Sequence, residues 1–162
     1  MTKKELSIFV MGIAAVGLLY HMHKDDLMRY ILFLYGWGLV FETVTNNLWR
    51  YSDDLGKTRF CAPNTHVNLL FPLGWMLQLS VADFFATTIW EYMLYGGTFG
   101  CLLEIVFFNL KYWVYQYDQK FLGLYHPFKP RIAILGVPIQ VILSYYLVNQ
   151  ILNWYVMERL LP

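Results

Sequence analysis

Charge is what this sequence has least of. Asp, Glu, Lys and Arg make up 14% of its 162 residues, against about 25% in an ordinary soluble domain. That is too few ions to clothe a water-facing surface. The formal net charge is +1, which removes the basic patch expected of a nucleic-acid binder. Cysteine is nearly absent. Cys61 falls in a loop-like stretch and Cys101 in an apolar run, so neither a disulfide framework nor a zinc spacing follows. Histidines are also sparse: His21, His23, His66 and His126 do not form the dense clusters a di-iron site needs. The H-x-H pair at 21 and 23 has no further ligand beside it, so it reads as interfacial and solvated, and no metal or cofactor is expected. There is no phosphate-cradling glycine loop, no G-x-S-x-G and no H-E-x-x-H.

What is present is apolar and aromatic. Hydrophobic residues reach 58%, and 13 Tyr, 12 Phe and 6 Trp bring aromatics to 19%. Tyr and Trp suit membrane interfaces, where one end of the ring is wet and the other dry. Five apolar segments stand out: Leu6–Met22, Leu27–Trp49, two within the long run Val67–Leu110 with a tight turn near Thr88–Glu91, and Ile132–Met157, which contains Pro138. A membrane span needs roughly 20 residues. The reading is therefore an all-α, polytopic helical bundle of about five transmembrane helices, one domain over 1–162, integral to the cytoplasmic membrane. The N-terminal apolar stretch has no small-residue cleavage site before "HKDD", so it is read as a retained helix. The alternative, a soluble all-α protein, does not suit uninterrupted apolar runs of this length.

Basic residues set the orientation. With the N-terminus inside, Lys3, Lys4, Arg50, Lys57, Arg59, Lys120, Lys129 and Arg131 lie on the inner side and Lys24, Arg29 and Arg159 on the outer. The positive-inside rule then favours N-in, C-out. A candidate internal repeat links "FETVTNNLWRY" (Phe41–Tyr51) to "LEIVFFNLKYW" (Leu103–Trp113), with Glu, Val, Asn and Leu at matching offsets. Its copies would span 27–88 and 91–157 and run the same way through the membrane. Small residues at Gly96 and Gly100, and at Gly97 and Cys101, have the spacing of close helix contacts.

Carboxylates inside apolar segments are costly and mark candidate sites. Glu42 and Glu104 are the candidate catalytic acids, because a buried, protonated carboxyl can deliver a proton to a substrate. Structural hydrogen bonding between helices is the competing role. Asn46, one turn beyond Glu42, is a candidate hydrogen-bond partner. Trp49, Tyr51, Asp53, Trp75, Asp83, Glu91 and Trp113 complete the candidate substrate-binding set. For Asp83 and Glu91, near a helix end, simple solvation is the rival reading. Asn64 or Thr65 is the expected cap before the third helix, with Pro72 tolerated in its first turn.

Two stretches carry resemblances. "YSDDLGKTRFCAPNTHVNLLFPLGW" resembles the carotenoid hydratase family through Tyr51, Leu55, Gly56, Pro72, Leu73 and Trp75, with Glu42 upstream. That likeness implies a multi-helix membrane enzyme adding water to an isoprenoid double bond by acid catalysis. "RYILFLYGWGLVFETVTNNLW" resembles a helix of the sterol-isomerase (emopamil-binding) family through Glu42, Thr43 and Thr45, implying that Glu42 acts on a sterol. Both imply an intramembrane Glu protonating an alkene in an apolar, aromatic-lined pocket. Glu42 would be the donor, with Glu104 second. The expected partners are membrane lipid, a hydrophobic isoprenoid-like substrate, and a homo- or hetero-oligomer, without nucleic acid. The rival is a non-catalytic accessory or scaffold subunit that holds lipid or pigment. A small transporter is the third option, though five spans and no clear cation pathway suit it poorly.

Overall fold

The computed structural model describes residues 1–45, 49–52, 55, 67–115, 120–121 and 124–125. Four α-helices account for most of them. The fifth apolar segment, Ile132–Met157, lies outside the described residues, as do Asn46, Asp53, Cys61, Asn64, Thr65, His66 and His126.

Helix α1 covers Lys3–Met22. Its start is a capping box: the Thr2 hydroxyl accepts from the Glu5 amide at 3.2 Å, and the Glu5 carboxylate accepts from the Thr2 amide at 2.6 Å. Two otherwise orphaned amides are satisfied at once. Ile8, Gly12, Ala15 and Leu19 are buried at helical spacing. A short 3-10 turn, Lys24–Asp26, leads into α2, Leu27–Thr45. Trp49–Tyr51, the end of the second apolar run and its flank, form a short strand, β1.

Helix α3, Phe71–Phe85, is the centre of the molecule and packs against α1, α2 and the next helix. Pro72 sits in its first turn, where the missing N–H costs nothing. No side chain caps it at Leu70. Asn68, fully buried, organises the approach: its Oδ1 accepts from the Leu70 amide at 2.9 Å and its Nδ2 donates to the Leu55 carbonyl at 3.2 Å. Buried polar groups along α3 are satisfied too. Gln78 donates to the Gly96 carbonyl at 3.2 Å, and Ser80 donates to the Met76 carbonyl at 2.7 Å.

Helix α4, Ile89–Asn109, follows a tight turn at Ala86–Thr88. Gly96, Gly97 and Gly100 are buried on it, as expected of small residues at close helix contacts. Its cap is a second capping box, Thr88 with Glu91. The Glu91 carboxylate also accepts from the Thr87 amide at 2.8 Å and the Thr87 hydroxyl at 2.7 Å. These bonds, the Thr87 hydroxyl first, hold the Glu91 carboxyl below the usual carboxylate range in this turn outside the apolar spans. A lowered folded value means that the cap's contribution is present above the unfolded carboxylate range and is lost as pH falls through the folded value. Thr88→Ala should cost about 1 kcal/mol. Thermal unfolding in detergent should show that loss near neutral pH and a smaller one in acid, where the wild-type cap has already weakened.

Helices α1 and Lys24–Val44 are long and apolar enough to cross a membrane, and only 28% and 17% of those stretches is buried within the molecule. Their outward faces carry large apolar side chains, among them Leu32 at 65% exposure, Met28 at 64% and Ile13 at 59%. On α4, Trp90 is 72% exposed. The two ends of the helices are polar. At one end His23 Nε2 meets Asp83 Oδ2 at 2.6 Å and its ring stacks on Tyr30 at 3.7 Å, while Arg29 bonds Asp26 at 2.9 Å. At the other end Lys4 donates to the Ser52 hydroxyl at 3.0 Å and the Lys111 carbonyl at 2.9 Å.

Candidate functional site

The site is built where α2 and α4 end. Helix α4 closes with a Schellman turn. The Tyr112 amide bonds the Phe107 carbonyl at 2.9 Å and the Lys111 amide bonds the Phe108 carbonyl at 3.0 Å. Lys111 takes the left-handed backbone, φ 57°, and Tyr112 packs on Phe107 with ring centroids 4.6 Å apart. This is the hydrogen-bond and contact pattern of that motif, with Lys where Gly is usual. The turn sends the chain back along the helix into strand β2, Trp113–Tyr115. Strand β2 pairs antiparallel with β1: Trp49 faces Tyr115, Arg50 faces Val114 and Tyr51 faces Trp113. The Ser52 amide adds a bond to the Tyr112 carbonyl at 2.9 Å. A further short hairpin pairs β3, Lys120–Phe121, with β4, Leu124–Tyr125.

This ribbon brings two aromatic donors onto two carboxyls. Tyr51 donates its hydroxyl to Glu42 Oε2. Trp75, from α3, donates its indole N–H to Glu42 Oε1 at 3.3 Å. Glu42 is 2% exposed, so each oxygen of a nearly dehydrated carboxyl meets a donor. On the other side Trp113 donates its indole N–H to Glu104 Oε1 at 3.1 Å, and Glu104 is partly buried. Burying a charge is costly unless it is hydrogen-bonded, and donors of this kind offset that cost.

Rings fill the space between the two acids. Tyr51 stacks on Phe71 at 4.3 Å, Phe71 meets Trp113 edge to face at 5.3 Å, and Trp113 meets Phe107 at 5.5 Å. Phe41 packs edge to face on Trp75 at 4.8 Å. Glu42 and Glu104 lie within electrostatic reach of each other. Such a cluster excludes water and presents π faces, which attract positive charge.

Of the residues singled out from sequence, Glu42, Tyr51, Trp75, Glu104 and Trp113 come together here. Trp49 has its backbone in β1 opposite Tyr115. Asp83 bonds His23, and Glu91 caps α4, both at the opposite end of the helices. Thr43 bonds the Leu39 carbonyl of its own helix at 2.7 Å. Phe71 and Asn68 were not anticipated, although "NLLFP" has Asn and Phe flanking a helix start. The clamp on the N-terminus of α1, made by Lys4 and by the 2.7 Å Ser7–Tyr112 hydroxyl bond, has no local signal. Among the described residues no group of three or more His, Cys, Asp or Glu is arranged to hold a metal ion. Compared with protein-family models, curated proteins and solved structures, the chain matches none of them.

Proposed function

We propose that the protein is a multi-pass integral membrane enzyme, N-terminus inside, that transfers a proton to a carbon–carbon double bond of an isoprenoid-type lipid. The observation that carries this reading is the convergence of two carboxyls, Glu42 and Glu104, on one aromatic cluster. The apolar outer faces of α1, α2 and α4 support the membrane setting. The end bearing Lys4, Arg50 and Lys111 is the basic one and faces the cytoplasm under the positive-inside rule.

In the reaction, the O–H bond of the protonated acid breaks and a new C–H bond forms at one alkene carbon. The other carbon becomes a carbocation beside the ionised partner carboxyl and the π faces of Phe71, Tyr51 and Trp113. Loss of a neighbouring proton to a carboxylate completes an isomerisation. Addition of water, with its proton passing to a carboxylate, completes a hydration. Either route regenerates the starting protonation.

The test uses the full chain in lipid nanodiscs, isoprenoid alkenes and deuterated water. Deuterium should enter the product, and Glu42→Gln and Glu104→Gln should each slow its entry about a hundredfold or more. Wild-type rates in Glu42→Gln would overturn the proposal.

A second reading has its own observation. Both Glu42 oxygens are engaged by Tyr51 and Trp75, as in a bond that only holds helices together. The protein would then be a non-catalytic membrane subunit that binds lipid or pigment. Mild-detergent purification separates the two. Stoichiometric co-migration with a larger complex supports the subunit, and a lone or homo-oligomeric species carrying an isoprenoid supports the enzyme.

A further inference from the structure

The two carboxyls sit at one level of the bundle, close to its end. Glu42 stands fifteen residues beyond Leu27 and Glu104 fifteen beyond Ile89, the first residues of α2 and α4. Three residues of α2 remain after Glu42, to Thr45, and five of α4 after Glu104, to Asn109. At roughly 1.5 Å of rise per residue, the acids lie about 5 Å and about 8 Å short of the ends of their helices. The rest of the cluster agrees. Phe71, which packs on both Tyr51 and Trp113, opens α3, and Trp75 follows one turn later. Ser7, which bonds Tyr112, is in the second turn of α1.

The opposite end is well separated. Asp83, bonded to His23, lies twelve residues along α3 from Phe71, a rise of about 18 Å. Asp26 with Arg29, and Glu91 at the cap of α4, belong to that far end. From their residue counts, α1, α2 and α4 are about 28–32 Å long, which matches a hydrocarbon core of about 30 Å. The midplane of such a core is about 15 Å from either face. The acids therefore stop roughly 7–10 Å short of it, and any tilt of the helices brings them nearer the face. Ile13, the eleventh residue of α1, falls at the middle.

A lipid keeps its polar head at the interface and sends its chain toward the midplane, so the depth of an acid selects the double bond that meets it. We infer that Glu42 and Glu104 act just beneath the cytoplasmic face of the membrane, and that the substrate is an isoprenoid whose reacting double bond adjoins its polar head. The substrate class rests on the reading of the pair as the acid site, whereas the depth does not. The acid's O–H bond breaks as a C–H bond forms at the alkene carbon nearer the head, and positive charge develops at the methyl-bearing carbon. Loss of a proton from the next carbon to a carboxylate gives the isomer. Addition of water at the cation, with its proton passing to a carboxylate, gives the hydrate. Double bonds toward the tail stand at or beyond the midplane, out of reach of both acids.

Two measurements on the full chain in nanodiscs test this, and the first needs no turnover. Nitroxide labels are placed on Val44→Cys, Val106→Cys and Ile13→Cys, each combined with Cys61→Ser and Cys101→Ala. All three sites are exposed, and Val44 and Val106 lie two residues beyond the acids on the same helices. Relative accessibility to oxygen and to a water-soluble nickel chelate reports the depth of each label. The labels on Val44→Cys and Val106→Cys should read as shallow and the one on Ile13→Cys as deep. Equal depth for all three would overturn the placement. The second measurement uses the wild type, deuterated water and geranylgeraniol, a linear isoprenoid alcohol with double bonds spaced from head to tail. Deuterium should enter at the double bond next to the hydroxyl-bearing carbon. Deuterium only at the tail-end double bond would overturn the substrate class and leave the acid reading standing. Deuterium at no position would overturn the acid reading and the substrate class together, with the depth still decided by the labels.

Discussion

Gly38→Leu should leave little folded protein, whereas Gly36→Leu should be recovered like the wild type. Both glycines lie in α2, two residues apart, and the same substitution meets opposite surroundings. A Cβ on Gly38 would stand 2.9 Å from both Pro72 Cα and Pro72 Cβ and 3.3 Å from the Pro72 carbonyl oxygen. Those atoms cannot swing aside, because Pro72 is ring-locked in the first turn of the central helix. Even alanine there overpacks the α2–α3 crossing, at a cost of about 1–3 kcal/mol. Leucine adds three more carbons to the same gap. Nothing lies within 4 Å of a Cβ on Gly36, and replacing a helical glycine there removes its entropic penalty of roughly 0.5–1 kcal/mol. Size-exclusion profiles and thermal unfolding in detergent read the contrast directly. Equal yields of the two variants would mean that α2 does not rest on α3 at this point. Gly12→Ala should be milder than Gly38→Ala, since it meets the mobile end of Leu73 rather than backbone.

Replacing Glu42 with alanine should destabilise the protein strongly. It strands the Tyr51 hydroxyl and the Trp75 indole N–H in a nearly dry cluster. Each donor left without an acceptor costs about 1–3 kcal/mol, in addition to the cavity. Tyr51→Phe keeps the ring stacked on Phe71 but takes one donor from the buried Glu42 carboxyl, so it should cost about 1–3 kcal/mol. Adding Tyr51→Phe to Glu42→Ala should therefore recover part of the loss. The double-mutant cycle should report a coupling of about 0.5–3 kcal/mol, measured by thermal or denaturant unfolding in detergent. Additive losses would show that the two side chains do not share a bond in the membrane. Trp75→Phe provides a second cycle with Glu42 and should couple more weakly, given its 3.3 Å contact.

Some of this site could be read along the chain. Glu42 and Glu104 are conspicuous because a carboxylate in an apolar run needs a partner, and Tyr51 and Trp113 close the two similar stretches "FETVTNNLWRY" and "LEIVFFNLKYW". The partnership itself was not legible. Asn46, one turn away, is the local candidate for Glu42 and lies outside the described residues; the donors described are Tyr51, which reaches back from a strand after the helix, and Trp75, from another helix. Asp83 and Glu91 read as site acids by composition, but the antiparallel course of α3 carries them to the far end, where one meets His23 and the other caps α4.

The division has a physical cause. Helix positions, the capping boxes at Thr2 and Thr88, the turn between α3 and α4 and the scarcity of surface charge depend on neighbours within a few residues. The sequence by itself determined those. Which donor reaches Glu42, how deeply Glu104 sits, and whether Tyr51 faces Trp113 depend on groups 33 or 62 residues apart. Their meeting follows from how α3 docks between α1, α2 and α4, with Gly12 and Gly38 setting the closeness of approach. Only the tertiary structure decided that, because helix–helix packing and strand register are settled by shape across the whole bundle and leave no mark in a local window.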